Sequence, residues 1–154
     1  MFKNILVCLD GSKLAEQILP YVKDEALLHK SRMVLIQVVP SPVVVTPGVP
    51  GVAGGAVVSD ITLRQSERTR QEAESYLNNL AEEMRGTGLK AEVAIEIGSP
   101  GQKIIDYAEK NNIDLIALAT HGRSGLGRAI FGSVADFVLK GSGMPVLLIK
   151  PKKV

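Results

Sequence analysis

Cysteine and excess charge of either sign are scarce in this sequence, and each shortage excludes a class of protein. Cys8 is the one cysteine, so the 154-residue chain cannot form an internal disulfide. Its place in an apolar run predicts a buried thiol, and a reducing compartment suits such a thiol best. Eighteen Lys plus Arg are interspersed with sixteen Asp plus Glu, which leaves a net charge of +2 and no basic patch of the kind that binds nucleic acid.

Long apolar runs free of helix breakers are also missing from the sequence. The segment 33–59 carries no charged side chain, but prolines and glycines interrupt it too often for a membrane-spanning helix. At the N-terminus a short apolar run meets Asp10, which does not fit a secretory signal. We therefore expect a cytoplasmic protein that does not insert into membranes.

The chain instead contains a series of short apolar runs bounded by turn formers. They lie at residues 5–9, 33–39, 114–119 and 145–149. Runs of this length and composition are typical of strands buried on both faces of a parallel sheet. Residues 90–97 alternate charged and apolar side chains, which predicts a fifth strand at a sheet edge.

Segments with helical spacing separate these runs. The apolar positions are Leu14, Ile18, Val22 and Leu28 in the first segment, Ala73, Leu77, Leu80 and Met84 in the second, and Ile104, Ile105 and Ala108 in the third. The second set forms one apolar stripe among charged neighbours, and we expect this stripe to pack on the sheet. A fourth helix is predicted from Ser133 to Lys140, with glycine at 141 and 143 to stop it.

This alternation predicts an α/β fold, with a doubly wound, Rossmann-like five-stranded parallel sheet flanked by four helices. We expect one domain over residues 1–154. Ligands in such sheets bind at the carboxyl ends of the strands where the winding reverses, so the loops after the first and fourth strands are the expected site. Residues 40–59, rich in Pro, Gly and Val, exceed most connections in length and predict a flap or a partly disordered loop within the domain.

The loop after the fourth strand has the composition of a phosphate site. Gly122 and Gly132 lack the Cβ atoms that would hold backbone N–H groups away from an anion. Ser133 begins the next helix, and Asp136, three positions on, is predicted to form a capping-box-like pair with it. A helix N-terminus with free amides binds phosphate readily, and Arg123 adds positive charge.

Three standard motifs do not match this chain. Residues 122–127 read G-x-x-G-x-G and not the dinucleotide-binding G-x-G-x-x-G, and residues 98–103 lack the interval of a P-loop. Leu126 stands where a nucleophile elbow needs glycine. General-base catalysis needs a positioned partner, which the pattern does not offer His121, so a turn or a phosphate contact is expected of it.

The spacing from Gly122 across nine residues to Gly132 and Ser133 resembles the signature of the universal stress protein family. The similarity extends from the opening strand and turn at residues 3–12 to the closing strand at 143–149. It implies a fold like that of the adenine nucleotide alpha hydrolases, with bound ATP. Ala119 departs from the pattern, because ATP-binding members usually carry glycine there, and its methyl group is expected to weaken binding at most.

Carried over to this chain, the resemblance implies a role for most candidate site residues. Asp10 faces the nucleoside, the Val38 backbone recognises the adenine edge, and Ala119 lies beside the ribose. The phosphates are held by the backbone amides of Gly122, Gly132, Ser133 and Val134 and by the serine hydroxyl. On their own chemistry, and apart from the resemblance, His121 and Arg123 are expected beside the phosphates. A magnesium ion bridges the phosphates. Two simpler alternatives stay open: Asp10 caps the first helix or its turn, and Arg123 is a solvated charge.

The sequence thus predicts an ATP-binding universal stress protein, a nucleotide-dependent regulator in the stress response that acts on a protein partner. An alternative is a dimeric interaction module of the same fold that binds no nucleotide. Either one is expected to form a homodimer through the apolar C-terminal strand. An ATP-using transferase or phosphatase is a third alternative, but no catalytic set can be assembled from these segments, so slow ATP hydrolysis is the most we expect.

Overall fold

Strands and helices alternate along the chain, as the apolar runs predict. The computed structural model describes residues 1–42, 60–121 and 131–152. The elements in chain order are β1 (Asn4–Cys8), α1 (Lys13–Glu16), α2 (Leu19–His29), β2 (Arg32–Val39), α3 (Asp60–Gly86), β3 (Lys90–Ile97), α4 (Pro100–Lys110), β4 (Leu115–Ala119), α5 (Ser133–Gly141) and β5 (Val146–Ile149). Residues 43–59, which make up most of the predicted flap, lie outside the described residues.

The strands form one parallel sheet in the order β3-β2-β1-β4-β5. The chain winds from β1 outward through β2 to β3, then returns to the other side of β1 and winds outward through β4 to β5. The winding direction therefore reverses between β1 and β4, and β3 and β5 form the two edges. This confirms the predicted doubly wound sheet and the predicted edge position of residues 90–97.

Each face of the sheet buries its own apolar core, because successive side chains of a strand point to opposite faces. One core joins alternate residues of the central strands to α1, α2 and α3, and its fully buried members include Ile5, Val7, Met33, Leu35, Ile18, Val22 and Leu77. The other joins the intervening residues to α4 and α5, through Leu6, Val34, Ile36, Ile116, Ile104 and Val138. Helices thus cover both faces, as predicted.

The connection from β1 to β2 is two helices and not the single helix that the spacing predicts. The four-residue α1 ends at the cap Gln17, and α2 begins at Leu19 with Pro20 in its first turn. Proline is tolerated there because the first-turn N–H groups of a helix have no acceptor within it. The restart changes which residues face the core: Ala26 is fully buried, and Leu28 is 75% exposed.

Helix α3 packs on β2 and β3 with its C-terminal half alone. Its buried residues are Ala73, Leu77, Ala81 and Met84, and Leu80 packs partly against them, so the predicted stripe is core. Before Ala73 no residue of this described helix is buried. Ion pairs between neighbouring turns occur in that exposed part, among them Arg70 with Glu67 at 2.7 Å. Neither α3 nor another helix within the described ranges is long and apolar enough to cross a membrane.

The two edges of the sheet differ in charge. Lys90, Glu92 and Glu96 lie along β3, where Glu92 pairs with Arg32 at 3.1 Å. The sequence of β5 is Val-Leu-Leu-Ile, and all four residues are half-buried. Charged side chains on an edge strand oppose the addition of another strand, so β3 is protected in a way that β5 is not.

Candidate functional site

A cavity of about 270 Å³ opens at the carboxyl ends of β1, β2 and β4, beside the point where the winding reverses. The structure brings six of the nine predicted site residues into its lining: Asp10, Val38, Ala119, His121, Gly132 and Val134. Ser133 lies between two of these residues and is exposed. Gly122 and Arg123 lie outside the described residues. Ligand pockets usually measure about 300–1,000 Å³, so this cavity of about 270 Å³ lies just below that range.

Asp10 belongs both to a turn and to the cavity wall. It follows β1, and its Oδ1 accepts hydrogen bonds from the Ser12 N–H at 3.0 Å and the Ser12 hydroxyl at 2.6 Å. Ser12 in turn is the N-cap of α1 and accepts from the Ala15 N–H at 3.1 Å. Asp10 therefore does not cap α1 itself; it positions the serine that does. Gly11 between them has φ +82°, a conformation that favours glycine.

Thr120, which the sequence analysis did not single out, joins three parts of the site. It follows β4 and is buried, and its N–H donates to the carbonyl of Ile149 at the end of β5 at 2.8 Å. Its own carbonyl accepts from the Gly132 N–H at 2.6 Å. Its hydroxyl lies 3.0 Å from Nδ1 of His121, which is buried beside it. The ring of His121 is therefore held in place at the cavity wall.

Gly132 is required by close contact with the backbone of Thr120. A Cβ atom at position 132 would lie 2.5 Å from the Thr120 carbonyl oxygen, closer than non-bonded atoms approach. Because the Gly132 N–H already donates to that oxygen, this amide is not available to a phosphate in this conformation. The predicted phosphate contacts of the helix start accordingly fall to the residues after Gly132.

The predicted capping-box-like pair of Ser133 and Asp136 is wrong. Gly132 is the N-cap of α5, and its carbonyl accepts from the Asp136 N–H at 2.9 Å without a side-chain cap. Ser133 is the first helical residue, and the Asp136 carboxylate accepts from Lys140 at 2.9 Å. The cap thus lies one residue earlier than the pattern predicts, and the bond from Asp136 to Gly132 is the first regular backbone bond of the helix.

The start of α5 is nevertheless suited to an anion. The first three amides of a helix, here those of Ser133, Val134 and Ala135, have no acceptor within it, and the helix dipole places partial positive charge at this end. Val134 and Ala135 both line the cavity. The arrangement presents free N–H donors to a ligand that occupies the cavity beside an apolar wall.

The apolar wall includes residues that the sequence analysis did not assign to the site. Cys8, Ile36 and Leu118 lie within β1, β2 and β4, and Ile36 is level with Cys8 at the end of β1. Their place inside buried runs is the signal that the sequence offers. Pro100 and Ile104 come from α4, and no local pattern shows that this helix reaches the cavity. Burial raises the pKa of the Cys8 thiol, so this thiol stays protonated and is a poor nucleophile.

Acidic and histidine side chains are not clustered here. Within residues 1–42, 60–121 and 131–152, no group of three or more His, Cys, Asp or Glu side chains is placed to hold a metal ion. The chemistry that the described part of the site offers is therefore donation of hydrogen bonds from amides, one carboxylate at Asp10, and apolar contact.

Fold and cavity together define an α/β protein with a pocket at the reversal point of a parallel sheet, lined in part by the start of a helix. The sequence model of the Universal stress protein family matches residues 1–150, and the chain belongs to that family. Universal stress protein MJ0577 of Methanocaldococcus jannaschii is 30% identical over 157 residues, which cover 99% of this chain and 97% of that protein.

Solved structures agree with the family assignment. The structure of MJ0577 superposes with a TM-score of 0.84 at 28% identity and covers 100% of this chain and 99% of its own. Two structures share the fold at lower identity and contain nucleotides. A universal stress protein of Archaeoglobus fulgidus in complex with dAMP has a TM-score of 0.65 at 22% identity, with 96% of this chain and 98% of that one covered. A universal stress protein in complex with cAMP has a TM-score of 0.66 at 16% identity, with 97% of each chain covered.

Proposed function

We propose that this protein binds ATP in the cavity at the carboxyl ends of β1, β2 and β4 and acts as a nucleotide-dependent regulator in the stress response. The observation that carries the proposal is the meeting of an apolar wall, the Asp10 carboxylate and the free amides of α5 in one cavity. A base, a ribose and a phosphate chain need these three kinds of surface. The dAMP and cAMP complexes of proteins with this fold support the same ligand class.

The backbone of β2 supports recognition of the adenine edge at Val38. The Ile36 carbonyl accepts from the Leu9 N–H on the β1 side at 2.9 Å, and the Val39 carbonyl accepts from the Gly98 N–H on the β3 side at 3.0 Å. Because backbone groups alternate along a strand, the N–H and C=O of Val38 point to the β1 side. The ladder of β1 with β2 has ended there, so these groups face the cavity that Val38 lines.

The phosphates are proposed to lie at the start of α5. Amides of Ser133, Val134 and Ala135 and the Ser133 hydroxyl supply donors from the described residues, and Gly122 and Arg123 are proposed to complete the set. Magnesium, when bound, would neutralise phosphate charge, and it usually takes most of its ligands from phosphate oxygens and water. Asp10 is the carboxylate at the cavity that could join them.

Ser133→Asp tests the phosphate placement by adding a negative charge where the ligand would carry its own. An acidic side chain in the first turn interacts favourably with the helix dipole, so we expect the variant to fold as the wild type does. Titration calorimetry with Mg-ATP should give a submillimolar dissociation constant for the wild type, and one at least about tenfold weaker for Ser133→Asp, roughly 1.4 kcal/mol. Ser133→Ala is the matched control and should weaken binding by less, since it removes one hydroxyl and adds no charge. The absence of heat and of a thermal shift for the wild type at millimolar Mg-ATP would refute the proposal.

A homodimer formed through β5 is the second part of the proposal, because β5 is the edge without charged residues. The same observation favours the alternative function, a dimeric interaction module without nucleotide. Size measurement with and without Mg-ATP separates the two, together with analysis of small molecules that co-purify. An unchanged assembly and no recovered nucleotide would favour the module.

Several finer points stay part of the proposal. A free thiol at Cys8 suits the reducing cytoplasm, where we place the protein. Slow hydrolysis of bound ATP, an interacting regulatory protein, and a single domain over residues 1–154 are proposed on the sequence argument.

A further inference from the structure

The chain at and beyond the end of β5 is hydrogen-bonded to two elements beside the cavity, α1 and the end of β4. These two elements are called the two walls of the cavity. We name residues 149–152 the C-terminal segment. It contains Pro151, which is buried although it lies beyond the last strand. This burial, with the hydrogen bonds described below, indicates a specific docking position for the segment.

The first attachment is to α1. Ala15 lines the cavity, and two residues later Gln17 caps the end of α1. The Gln17 side chain makes two hydrogen bonds to the backbone of Lys152: its Nε2 donates to the Lys152 carbonyl at 2.8 Å, and its Oε1 accepts from the Lys152 N–H at 2.8 Å. One amide group thus satisfies both backbone groups of a single residue, as a neighbouring strand would.

The second attachment is to the end of β4. The Thr120 N–H donates to the Ile149 carbonyl, while the Thr120 carbonyl accepts from Gly132 at the start of α5. One residue therefore connects the C-terminal segment to α5, whose first turn contributes Val134 and Ala135 to the cavity lining. On the α1 side the connection runs from Asp10 through Ser12 and α1 to Gln17.

We propose that ligand binding in the cavity is coupled to the order of the C-terminal segment and β5, with Gln17 as the side chain that transmits it. The inference rests on the proposed function, since the ligand that contacts Asp10 and α5 is the proposed nucleotide. A ligand that holds both walls in place also holds the two points to which the segment is attached. Such coupling is reciprocal, so an ordered segment raises nucleotide affinity by the same factor.

Hydrogen exchange read by mass spectrometry tests this coupling in the full-length protein at one fixed concentration, with and without saturating Mg-ATP. In the wild type, Mg-ATP should slow exchange severalfold both at the start of α5 and in residues 146–152. In Gln17→Ala the slowing at α5 should persist, and the slowing in residues 146–152 should be largely lost. By reciprocity the variant should bind Mg-ATP about fivefold more weakly.

Gln102→Ala is the matched control. Gln102 is an exposed glutamine on α4 whose side-chain amide donates to Asp106 at 2.7 Å, so its removal deletes a comparable hydrogen bond away from the segment. This variant should retain the wild-type response in both regions. Gln17→Glu keeps an acceptor for the Lys152 N–H but lacks the donor, so its response should be intermediate.

The outcomes separate the two proposals. No protection by Mg-ATP at the start of α5 in the wild type would overturn the proposed function and the coupling with it. If Mg-ATP slows exchange at the start of α5 in the wild type but leaves exchange in residues 146–152 unchanged, the coupling alone is overturned. So would a Gln17→Ala variant that keeps the full wild-type response and affinity.

Discussion

At the scale of single residues, Thr120 and Gly132 approach each other more closely than any larger side chain at position 132 would allow. The Thr120 carbonyl is fixed by its place at the end of the sheet, because the N–H of the same residue is bonded to Ile149. A substitution at 132 therefore cannot be relieved by a small rotation of a side chain. The helix start and the strand end would have to separate.

Gly132→Ala is accordingly expected to destabilise the protein by about 1–3 kcal/mol, the usual cost of overpacking. Urea denaturation at neutral pH measures it. Gly86→Ala is the matched control, because a Cβ there meets no atom within 4 Å and alanine is the better helix former. Equal stability of the two variants would show that the contact with Thr120 yields more easily than its geometry indicates.

Residue roles at this site were only partly predictable. Asp10 follows one buried run and Val38 lies near the end of another, so their place at the carboxyl edge could be predicted from strand order. The start of α5 could not, since Gly132 and not Ser133 is its N-cap, and no side chain caps it. A sequence pattern registers side chains, and this cap uses none.

At the scale of elements, α3 consists of two parts that differ in what stabilises them. The part from Ala73 onward packs on the sheet. In the part before it every side chain is exposed or half-buried, and ion pairs form between its own turns. Isolated helical turns are marginal in water, so the first part depends on its continuity with the second.

Two leucines on this one helix provide a direct comparison. Leu77 is fully buried and Leu63 is 49% exposed. We expect Leu77→Ala to lower the free energy of unfolding by about 2–5 kcal/mol, because it leaves a cavity under the sheet. Leu63→Ala should change it by no more than about 0.5 kcal/mol. Chemical denaturation of both variants gives the values, and a large loss at Leu63 would show that the exposed part has a packing partner.

The elements themselves were predictable wherever burial leaves a period in the sequence. β1, β2 and β4 are covered on both faces and so appear as nearly continuous apolar runs, whereas β3 alternates because one side meets water. The break between α1 and α2 was missed because Leu14 to Leu28 keep an apparent helical period across it. The contribution of Pro100 and Ile104 to the cavity depends on how α4 lies across the sheet, which no local period encodes.

At the scale of the whole molecule, the proposed dimer depends on the edge at β5. Leu148→Lys places a charge on that edge, while the aliphatic stem of lysine can still cover the apolar surface beneath it. We expect the variant to sediment as a monomer at concentrations where the wild type is a dimer. Ile97→Lys, on the other edge at a position that is already 41% exposed, should sediment as the wild type does. Sedimentation velocity distinguishes these cases, and a dimeric Leu148→Lys would place the contact elsewhere.

The contrast between the two edges also limits how far assembly can proceed. When β5 of one copy lies antiparallel to β5 of another about a two-fold axis, both uncharged edges are used up and a β3 strand is left at each outer end. Those outer strands carry Lys90, Glu92 and Glu96, which resist further strand addition. A continuous ten-stranded sheet across the pair would therefore be self-limiting, and the same sheet with an uncharged β3 would be open to growth into fibres.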